Sequence, residues 1–300
     1  MQKKKYTHVE LIEKIGGVNI KAGSVVAGNR GYYLVGSGVF LSQALQRLAI
    51  DILVNDNYIP VYPPTFMKRY VMEKVAQLSQ FDDELYKVNG DADDEENPHD
   101  KYLIATSEQP IAAMHIGQRI SRQKLPIKYT GISNCFRKET GRHRHDTLGI
   151  FRVHQFEKIE QFVITDSEGK ESWDAMENMI ANSETFLKDL EIPYRVVNIV
   201  SGELNDSASK KLDVEGWFAG SGNFKELVSC SNCLDYQSRR LGIKNDRGDC
   251  VHMLNATMCA VTRMICVLLE NHQTDTGIAI PPSLSKYMPS MYSKEIPFLK

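Results

Sequence analysis

The chain has 300 residues, 42% of them hydrophobic, with a formal net charge of −2 at pH 7. This length and apolar content suffice for one large domain or two modest ones, and the small net charge excludes a global basic field that would attract nucleic acid. Neither a signal peptide nor an apolar run of about 18 residues is apparent, so we expect a cytoplasmic protein with reduced cysteines.

The first third of the chain predicts one strong helix. Residues 1–35 show little periodicity, but apolar side chains then recur at three- and four-residue steps and predict an amphipathic helix over Phe40–Leu53. Tyr58–Pro64 follows as an extended segment that prolines end. The acidic stretch Asp91–Asp100 is predicted to be a solvated loop.

The remainder predicts more strands than helices. The predicted helices are Trp173–Leu190, with Ser172 as its cap, and Met253–Glu270. The predicted strands are Tyr102–Pro110, Ile127–Arg137, Gly149–Ile164, Tyr194–Val200 and Phe224–Cys230. Several strands follow one another directly, which indicates a mixed or antiparallel sheet with helices packed on it. We therefore expect an α+β fold and, because no linker divides residues 1–300, a single domain.

The most informative feature is a pair of strand-like runs, Gly131–Glu139 and Gly149–Glu160. Side chains alternate between the two faces of a strand, so Arg152, Phe156 and Glu160 are predicted to point to one side. A cation, an aromatic ring and a carboxylate suit a phosphate, a base and an amine. This pattern predicts a site for a nucleotide joined to an amino acid.

Three further groups each allow two interpretations. Arg263, with the small residues near Asn255–Thr257, indicates either a ligand-binding helix or an arginine lying along a helix contact. Glu226 and Ser229 could share a magnesium ion or mark an exposed strand end. Thr106–Glu108 is a ligand-binding segment or a polar turn.

The cysteines raise the question of zinc. Cys230, Cys233 and Cys250 lie near His252, but a fourth ligand at conventional spacing is missing. We expect buried thiols and no zinc.

Taken in order, these segments resemble the catalytic domain of class II seryl-tRNA synthetases, from about His8 to Met288. The segments that carry the resemblance are Gly36–Pro64 (motif 1), Thr106–Glu108 (Thr-x-Glu), Phe136–Glu139 (motif 2), Val153–Lys158, Glu226–Ser229 with Cys230–Arg240, and Asn255–Thr257 with Arg263 (motif 3). The resemblance implies an antiparallel sheet of about six to seven strands with flanking helices. It also implies a homodimer through the Gly36–Pro64 region.

The implied reaction is activation of L-serine by ATP with Mg²⁺, followed by transfer to tRNA(Ser), with tRNA(Sec) as a further acceptor. Arg137 and Arg263 are the implied catalytic residues, and Glu226 and Ser229 the implied metal ligands. The implied serine-binding residues are Thr106, Ser107, Glu108, Glu160, Asn255 and Thr257. The implied ATP-binding residues are Arg137, Lys138, Glu139, Arg152, Val153, His154, Gln155, Phe156, Glu226, Leu227, Val228, Ser229 and Arg263.

The chain departs from the family pattern in two places. The family carries an N-terminal coiled-coil arm that grips tRNA, and no heptad run is present here, so we expect weak tRNA binding. The basic residues of the loop Thr140–Leu148 are shifted relative to the family, which bears on contact with the tRNA acceptor end.

Two other functions deserve comparison. A ligase that loads an amino acid onto a carrier protein resembles the zinc-using seryl enzymes, and the incomplete zinc ligand set argues against it. A non-catalytic module derived from a synthetase usually lacks one of the two motif arginines, whereas Arg137 and Arg263 are both present.

Overall fold

The computed structural model describes residues 2–76, 84–88, 100–139 and 148–299. Apart from Asp100 and Leu148, the predicted loops Asp91–Asp100 and Thr140–Leu148 lie outside these ranges. The α-helices in the described ranges are α1 His8–Lys14, α2 Ile20–Ala27, α3 Ser37–Asn55, α4 Arg69–Val75, α5 Glu108–Ala113, α6 Glu171–Asp189, α7 Tyr236–Leu241, α8 Val261–His272 and α9 Pro282–Ser285. The strands there are β1 Val18–Asn19, β2 Tyr33–Leu34, β3 Ile59–Val61, β4 Phe66–Lys68, β5 Lys87–Val88, β6 Lys101–Leu103, β7 Arg119–Ile120, β8 Ile127–Phe136, β9 Gln155–Thr165, β10 Tyr194–Asn198, β11 Lys210–Phe218, β12 Asn223–Asn232, β13 Lys244–Asn245, β14 His252–Ala260, β15 Gly277–Ala279 and β16 Glu295–Pro297.

A seven-stranded sheet in the order β10-β11-β12-β14-β9-β8-β3 forms the centre of the protein. The α+β class and the strand number expected from the sequence are confirmed. The sheet is mixed rather than wholly antiparallel, because β3 pairs with β8 in parallel. The chain between these two strands builds the small sheet β4-β6-β5 and returns by a long connection, which a parallel pair requires.

The two faces of the large sheet differ in polarity because side chains alternate along each strand. One face is apolar and packs against α3, α6 and α8; Ile159, Val228 and Leu254 lie in this core. The other face of the central strands carries polar residues such as Lys158, Glu160 and Ser231. The sequence thus produces a sheet with an apolar underside and a polar upper surface.

Helix α3 confirms the first predicted helix and extends it at both ends. By length and composition alone it could cross a membrane, but half of the qualifying stretch is buried within the protein. Leu41, Leu45 and Leu53 on its inner face are fully buried. These side chains pack α3 onto the underside of the sheet.

The helix predicted over Met253–Glu270 is wrong in its first half, where β14 occupies the middle of the sheet. A short run that is mostly apolar and almost wholly buried cannot be distinguished from a helix by periodicity alone. Asn255 and Thr257 therefore lie on a strand, and only Arg263 lies on a helix. No loop separates the two elements, since β14 ends at Ala260 and α8 begins at the next residue.

Other element boundaries also shift. The strand predicted from Gly149 begins only at Gln155, so Arg152 lies ahead of β9, in an irregular segment. Only Tyr102 and Leu103 of the predicted strand Tyr102–Pro110 lie on a strand, β6, and the prediction's last three residues begin α5. The N-cap position of α6 is Lys170 rather than Ser172, and the Lys170 side chain makes no capping hydrogen bond. Strand β11 was not predicted, although its polar and apolar residues alternate from Lys211 onward.

Two β-bulges lie on the neighbouring strands β12 and β14. Leu227 has no partner, because Val228 pairs with Val214 and Glu226 with Glu215. In the same way Met258 is skipped between Thr257 and Cys259. Each bulge reverses the alternation, so residues three positions apart share the polar face.

A buried carboxylate joins the first helix to the sheet and to α8. Glu270 is fully buried and accepts hydrogen bonds from the backbone N–H and Nδ1 of His8, at 2.9 and 2.7 Å. It also accepts from the backbone of Gly220 and from the backbone and hydroxyl of Ser221, each at 2.8 Å. These bonds offset the cost of burying a charge and fix three segments together.

Candidate active site

Arg137 leaves the end of β8 and lies over the polar face of the sheet. Its backbone N–H donates to the carbonyl of His154, and its Nε donates to the carbonyl of Ala105 at 3.3 Å. The guanidinium carbon lies 5.5 Å from the centre of the Phe156 ring. The side chain is thus held against an aromatic surface, within cation–π range.

Arg263 projects from the first turn of α8 toward β12. Its Nη1 lies 3.5 Å from Oε1 of Glu226, and its guanidinium carbon lies 5.1 Å from the Phe151 ring. The Arg263 side chain is only 17% exposed, whereas the Glu226 side chain is 47% exposed. Burial acts to raise the pKa of Glu226, but nearby cations, chiefly Arg263, outweigh it and lower that pKa.

The carboxylate of Glu160 lies on the same face, where β9 pairs with Thr257 of β14. It forms a buried ion pair with Lys158, with Nζ 2.5 Å from Oε2. The same Nζ donates to the hydroxyl of Thr106 at 2.8 Å. A lysine that the sequence interpretation did not include therefore joins two of the predicted serine-binding residues.

Glu108 stands beside this pair at the start of α5. Burial raises its pKa to about 7, and the negative charge of Glu160 adds to the shift. Gln237 Nε2 donates to its carboxylate at 2.7 Å, which acts in the opposite direction. Glu108 is thus a carboxyl group that can change charge near neutral pH.

The bulge at Leu227 explains why Glu226 and Ser229 share one face of the sheet although they are three residues apart. Both pair with residues on one face of β11, and the partner of Ser229 is Asp213. Burial and the charge of Glu226 raise the pKa of Asp213, and its buried Oδ1 accepts no hydrogen bond. Carboxylate and hydroxyl oxygens with an unsatisfied oxygen behind them fit a hard divalent cation.

The structure brings the predicted catalytic residues into one cavity. Arg137, Arg263 and Glu160 line it together, along with Thr106, Glu108, Ser229, Asn255 and Thr257. An adjoining cleft shares Arg137, Arg263 and Lys158 with this cavity and is also lined by the aromatic residues Phe151 and Phe156. We call the cavity and cleft together the catalytic cavity.

Arg152 and Glu139 are paired within the catalytic cavity. Arg152 Nη1 lies 2.5 Å from Glu139 Oε2, and Arg30 Nη1 lies 3.9 Å from the same oxygen. Val153 and Leu227 also line the cleft. Arg152 reaches it from the irregular segment before β9, so its position does not depend on the predicted strand alternation.

Several predicted site residues have side chains elsewhere. Ser107 is buried against β8, where a Cβ on Gly131 would lie 2.4 Å from its hydroxyl. Val228 lies in the apolar core. His154 and Gln155 line a separate cavity. Lys138 is not among the residues that line the catalytic cavity, and its backbone N–H donates a hydrogen bond to the carbonyl oxygen of Glu84.

Sequence reasoning missed Lys158 and Asp213. Lys158 lies midway between Phe156 and Glu160, so strand alternation already placed it on their face. Asp213 could have been found only after β11 was recognised. Lys158 ends the segment Val153–Lys158, which carries part of the resemblance, but the resemblance gave it no ligand-binding role.

The cysteines of the Cys230–Cys233 segment are buried thiols, and burial raises the pKa of both far above its ordinary value. Across the described ranges, no group of three or more His, Cys, Asp and Glu side chains is arranged to hold a metal ion. Asn255 Nδ2 instead contacts Cys233 Sγ at 3.7 Å. This contact joins the floor of the catalytic cavity to the turn that follows β12.

Comparison with known proteins gives a consistent result. Residues 86–272 match the tRNA synthetase class II core domain (G, H, P, S and T). Cytoplasmic serine–tRNA ligase from Oryctolagus cuniculus is 56% identical over 308 residues, which cover 99% of this chain. The chain spans about 60% of the length of that curated relative.

Two solved structures are also similar. The cytoplasmic serine–tRNA ligase of Naegleria fowleri, in complex with AMP, superposes with a TM-score of 0.94 at 52% identity and covers 99% of this chain and 68% of its own. Seryl-tRNA synthetase from Pyrococcus horikoshii, complexed with ATP, has a TM-score of 0.91 at 42% identity, covering 100% of this chain and 66% of its own.

Proposed function

The chain belongs to the class II tRNA synthetase family, and on this premise we propose that it activates L-serine with ATP and transfers the serine to tRNA(Ser). The first step forms seryl-adenylate and diphosphate. The observation that carries the proposal is that Arg137, Arg263 and Glu160 line one cavity. Cations for a nucleotide and a carboxylate for a small amino acid thus face the same space.

In the first step the serine carboxylate attacks the α-phosphorus of ATP, so two anions must approach each other. Arg137 holds the α-phosphate and the carboxylate, and its guanidinium remains charged at every relevant pH. Arg263 holds the γ-phosphate, and Arg152 is a secondary phosphate contact. Positioning and preorganised charge supply most of the rate acceleration, because the protein forms no covalent bond.

The adenine ring lies against Phe156. The Arg137 guanidinium makes a cation–π contact with the same ring. Glu139 and the backbone of Val153–Phe156 read the edge of the base. Support comes from the cleft, which Phe156, Glu139 and Val153 line together. Arg263 lies over Phe151 rather than Phe156, so its place is at the phosphates.

Magnesium is the metal that this donor set suits. Glu226 and Ser229 would hold it, with Asp213 behind them. When bound, the ion offsets the negative charge of the ATP phosphates. The lowered pKa of Glu226 keeps that carboxylate ionised at neutral pH, which a cation site requires.

Serine is selected by polar groups. Glu160 accepts hydrogen bonds from the substrate hydroxyl or amine, and Thr106 and Glu108 also hold the amine. Asn255 and Thr257 close around the side chain. A site that bonds a hydroxyl rejects alanine by a factor on the order of 10⁴, because buried partners would be left unpaired. Threonine must be excluded by rigid walls, since one methyl group is worth only about 10–200-fold.

The remaining proposals concern domain organisation, cellular location and oligomeric state. Residues 1–300 form one catalytic domain in a cytoplasmic enzyme. The domain dimerises through Gly36–Pro64, where Ile59 and Tyr62 are 55% and 80% exposed, and Phe66 nearby is half exposed. Exposed apolar side chains that cluster in this way are typical of protein interfaces.

Pyrophosphate exchange into ATP tests the proposed function, since it needs no tRNA. Wild-type protein should exchange pyrophosphate with serine and with no other standard amino acid. Arg137→Ala should abolish the exchange. Exchange that depends on a different amino acid, or that survives in the variant, would overturn the assignment.

A further inference from the structure

Lys158 holds the position that a substrate ammonium group needs. Its Nζ lies 2.5 Å from Glu160 Oε2 and 2.8 Å from Thr106 Oγ1. Both partners are residues that we assign to the substrate. The Lys158 side chain is 5% exposed and that of Glu160 is 2% exposed, so little water screens the pair.

Without a cation, Glu160 would be a buried and uncompensated charge, which is costly. Lys158 therefore stabilises the empty site. The ammonium of an incoming amino acid requires the same carboxylate. Two ammonium groups about 4 Å apart repel each other by about 4 kcal/mol at an effective dielectric constant of 20, so both cannot remain against Glu160.

The position of Lys158 on β9 offers a second place for its charge. It lies between Phe156 and Glu160 on one strand face, and it pairs with Ala260 at the beginning of the Arg263 helix. Lys158 lines both the cavity that contains Glu160 and the cleft that contains Phe156. Its flexible stem can turn from one to the other without movement of the strand.

We propose that Lys158 is an internal substitute for the substrate ammonium: serine displaces it from Glu160 and Thr106, and it turns to the side where the serine carboxylate meets the ATP phosphate. This inference rests on the proposed function and adds a residue to it. There Lys158 adds a positive charge to that of Arg137 at the point where two anions approach. It is a catalytic residue in the occupied site and a stabilising residue in the empty one.

A coupling between the two substrates follows. The phosphates of ATP attract Lys158 away from Glu160 and so vacate the amine position. ATP thus tightens serine binding, and serine tightens ATP binding by the same factor, because coupling free energies are reciprocal. Couplings of this kind are typically about 5- to 150-fold.

Calorimetric titration of serine tests the coupling, with and without the non-hydrolysable analogue α,β-methylene-ATP. In wild-type protein the analogue should tighten serine binding at least about 5-fold. Lys158→Met keeps most of the length of the side chain, ending one atom short of Nζ, and removes the charge. It should bring the ratio of the two affinities close to one and lower kcat for pyrophosphate exchange.

A purely structural lysine would give a different result. Its loss would weaken serine binding equally in both titrations and leave the ratio unchanged, which would overturn the inference. Because Lys158→Met leaves Glu160 unpaired and could impair folding, the double variant Lys158→Met with Glu160→Gln restores charge balance, and its analogue-dependent ratio should also be lost.

A structure of the wild-type protein with a non-hydrolysable seryl-adenylate analogue requires no variant. Lys158 Nζ should lie beyond hydrogen-bonding distance of Glu160, near the bound acyl or phosphate group. A Lys158 that still contacts Glu160 in this structure would overturn the inference. If the same protein exchanges pyrophosphate in a serine-dependent way, the proposed function would stand. Wild-type protein that fails to exchange with serine would overturn both.

Discussion

Arg137 and His154 hold each other through two hydrogen bonds at the point where β8 ends and β9 approaches. The N–H of Arg137 donates to the carbonyl oxygen of His154, and Nδ1 of His154 donates to the carbonyl oxygen of Arg137, each at 2.9 Å. The side chain of His154 lies outside the catalytic cavity. It therefore fixes the direction of the Arg137 backbone without touching a substrate.

His154→Ala should lower kcat for pyrophosphate exchange about 10-fold, since one lost hydrogen bond is worth about 1 kcal/mol and misplaces the guanidinium. His154→Asn should retain most of the activity, because its Nδ2 can replace the Nδ1 donor. The measurement is steady-state exchange for both variants. Full activity in the alanine variant would contradict the positioning role.

Glu160→Ala should raise KM for serine far more than KM for ATP. A hydrogen bond to a charged group contributes about 1.5–3 kcal/mol, which corresponds to about 10- to 150-fold. KM for ATP should change by less than about 3-fold. Equal increases in both constants would remove Glu160 from serine recognition.

The raised pKa of Glu108 predicts a pH-dependent KM for serine. Below the pKa of about 7 the carboxyl group is neutral, and above it the carboxylate can pair with the substrate ammonium. KM for serine should therefore fall as pH rises from 6 to 8. Glu108→Gln should flatten the profile, and a variant profile as steep as that of wild type would assign the titration to another group.

Glu226→Gln should raise the magnesium concentration needed for half-maximal exchange about 10-fold or more, because the neutral amide is a poorer ligand for a hard cation. Glu215→Gln is the matched control, since Glu215 pairs with Glu226 across the strands but bonds Arg195 instead. The control should leave the magnesium requirement unchanged. The same shift in both variants would indicate a general charge effect.

Glu270→Gln should lower the free energy of unfolding by about 3 kcal/mol, because an amide nitrogen would face buried N–H donors. The surface variant Glu73→Gln, which loses only an i,i+4 contact with Arg69, should cost less than about 0.5 kcal/mol. Urea unfolding measures both. A Glu270→Gln protein as stable as the control would show that the buried contacts contribute little.

The cost of Glu270→Gln should also depend on pH. Burial opposes ionisation of Glu270, but its hydrogen bonds, above all that from His8, outweigh burial and hold the pKa below the ordinary 4.5. A lowered folded-state pKa gives stability that is present above about pH 4.5 and is lost as pH falls through the folded-state value. The difference between wild type and variant should shrink in that acid range.

Strong local patterns were enough to predict much of the fold. The stripe of Leu41, Leu45 and Leu48 predicted α3, and the strand-like run Ile127–Arg137 predicted β8. Strand β14 was mistaken for helix because it is buried and mostly apolar, and the polar residues Asn255 and Thr257 were too few to reveal a period of two. Membership of a central strand is decided by tertiary packing, which no local window contains.

The site followed the same division. The sequence placed Arg137 and Arg263 in one site only through the resemblance to motifs 2 and 3, because β8 and α8 are far apart along the chain. It could not reveal that a bulge at Leu227 turns Glu226 and Ser229 to one face. Lys158 was within reach of strand alternation, whereas its contact with Thr106 depends on how α5 packs beside β9.

Because β14 passes directly into α8, it fixes the distance between Thr257 on the strand and Arg263 on the helix. The chain between these two residues is regular secondary structure with no intervening loop. A connection of this kind keeps a fixed spacing between the proposed serine site and the proposed site of the ATP γ-phosphate. Loops elsewhere can rearrange without altering the spacing, so sensitivity to substrate length is built into the chain itself.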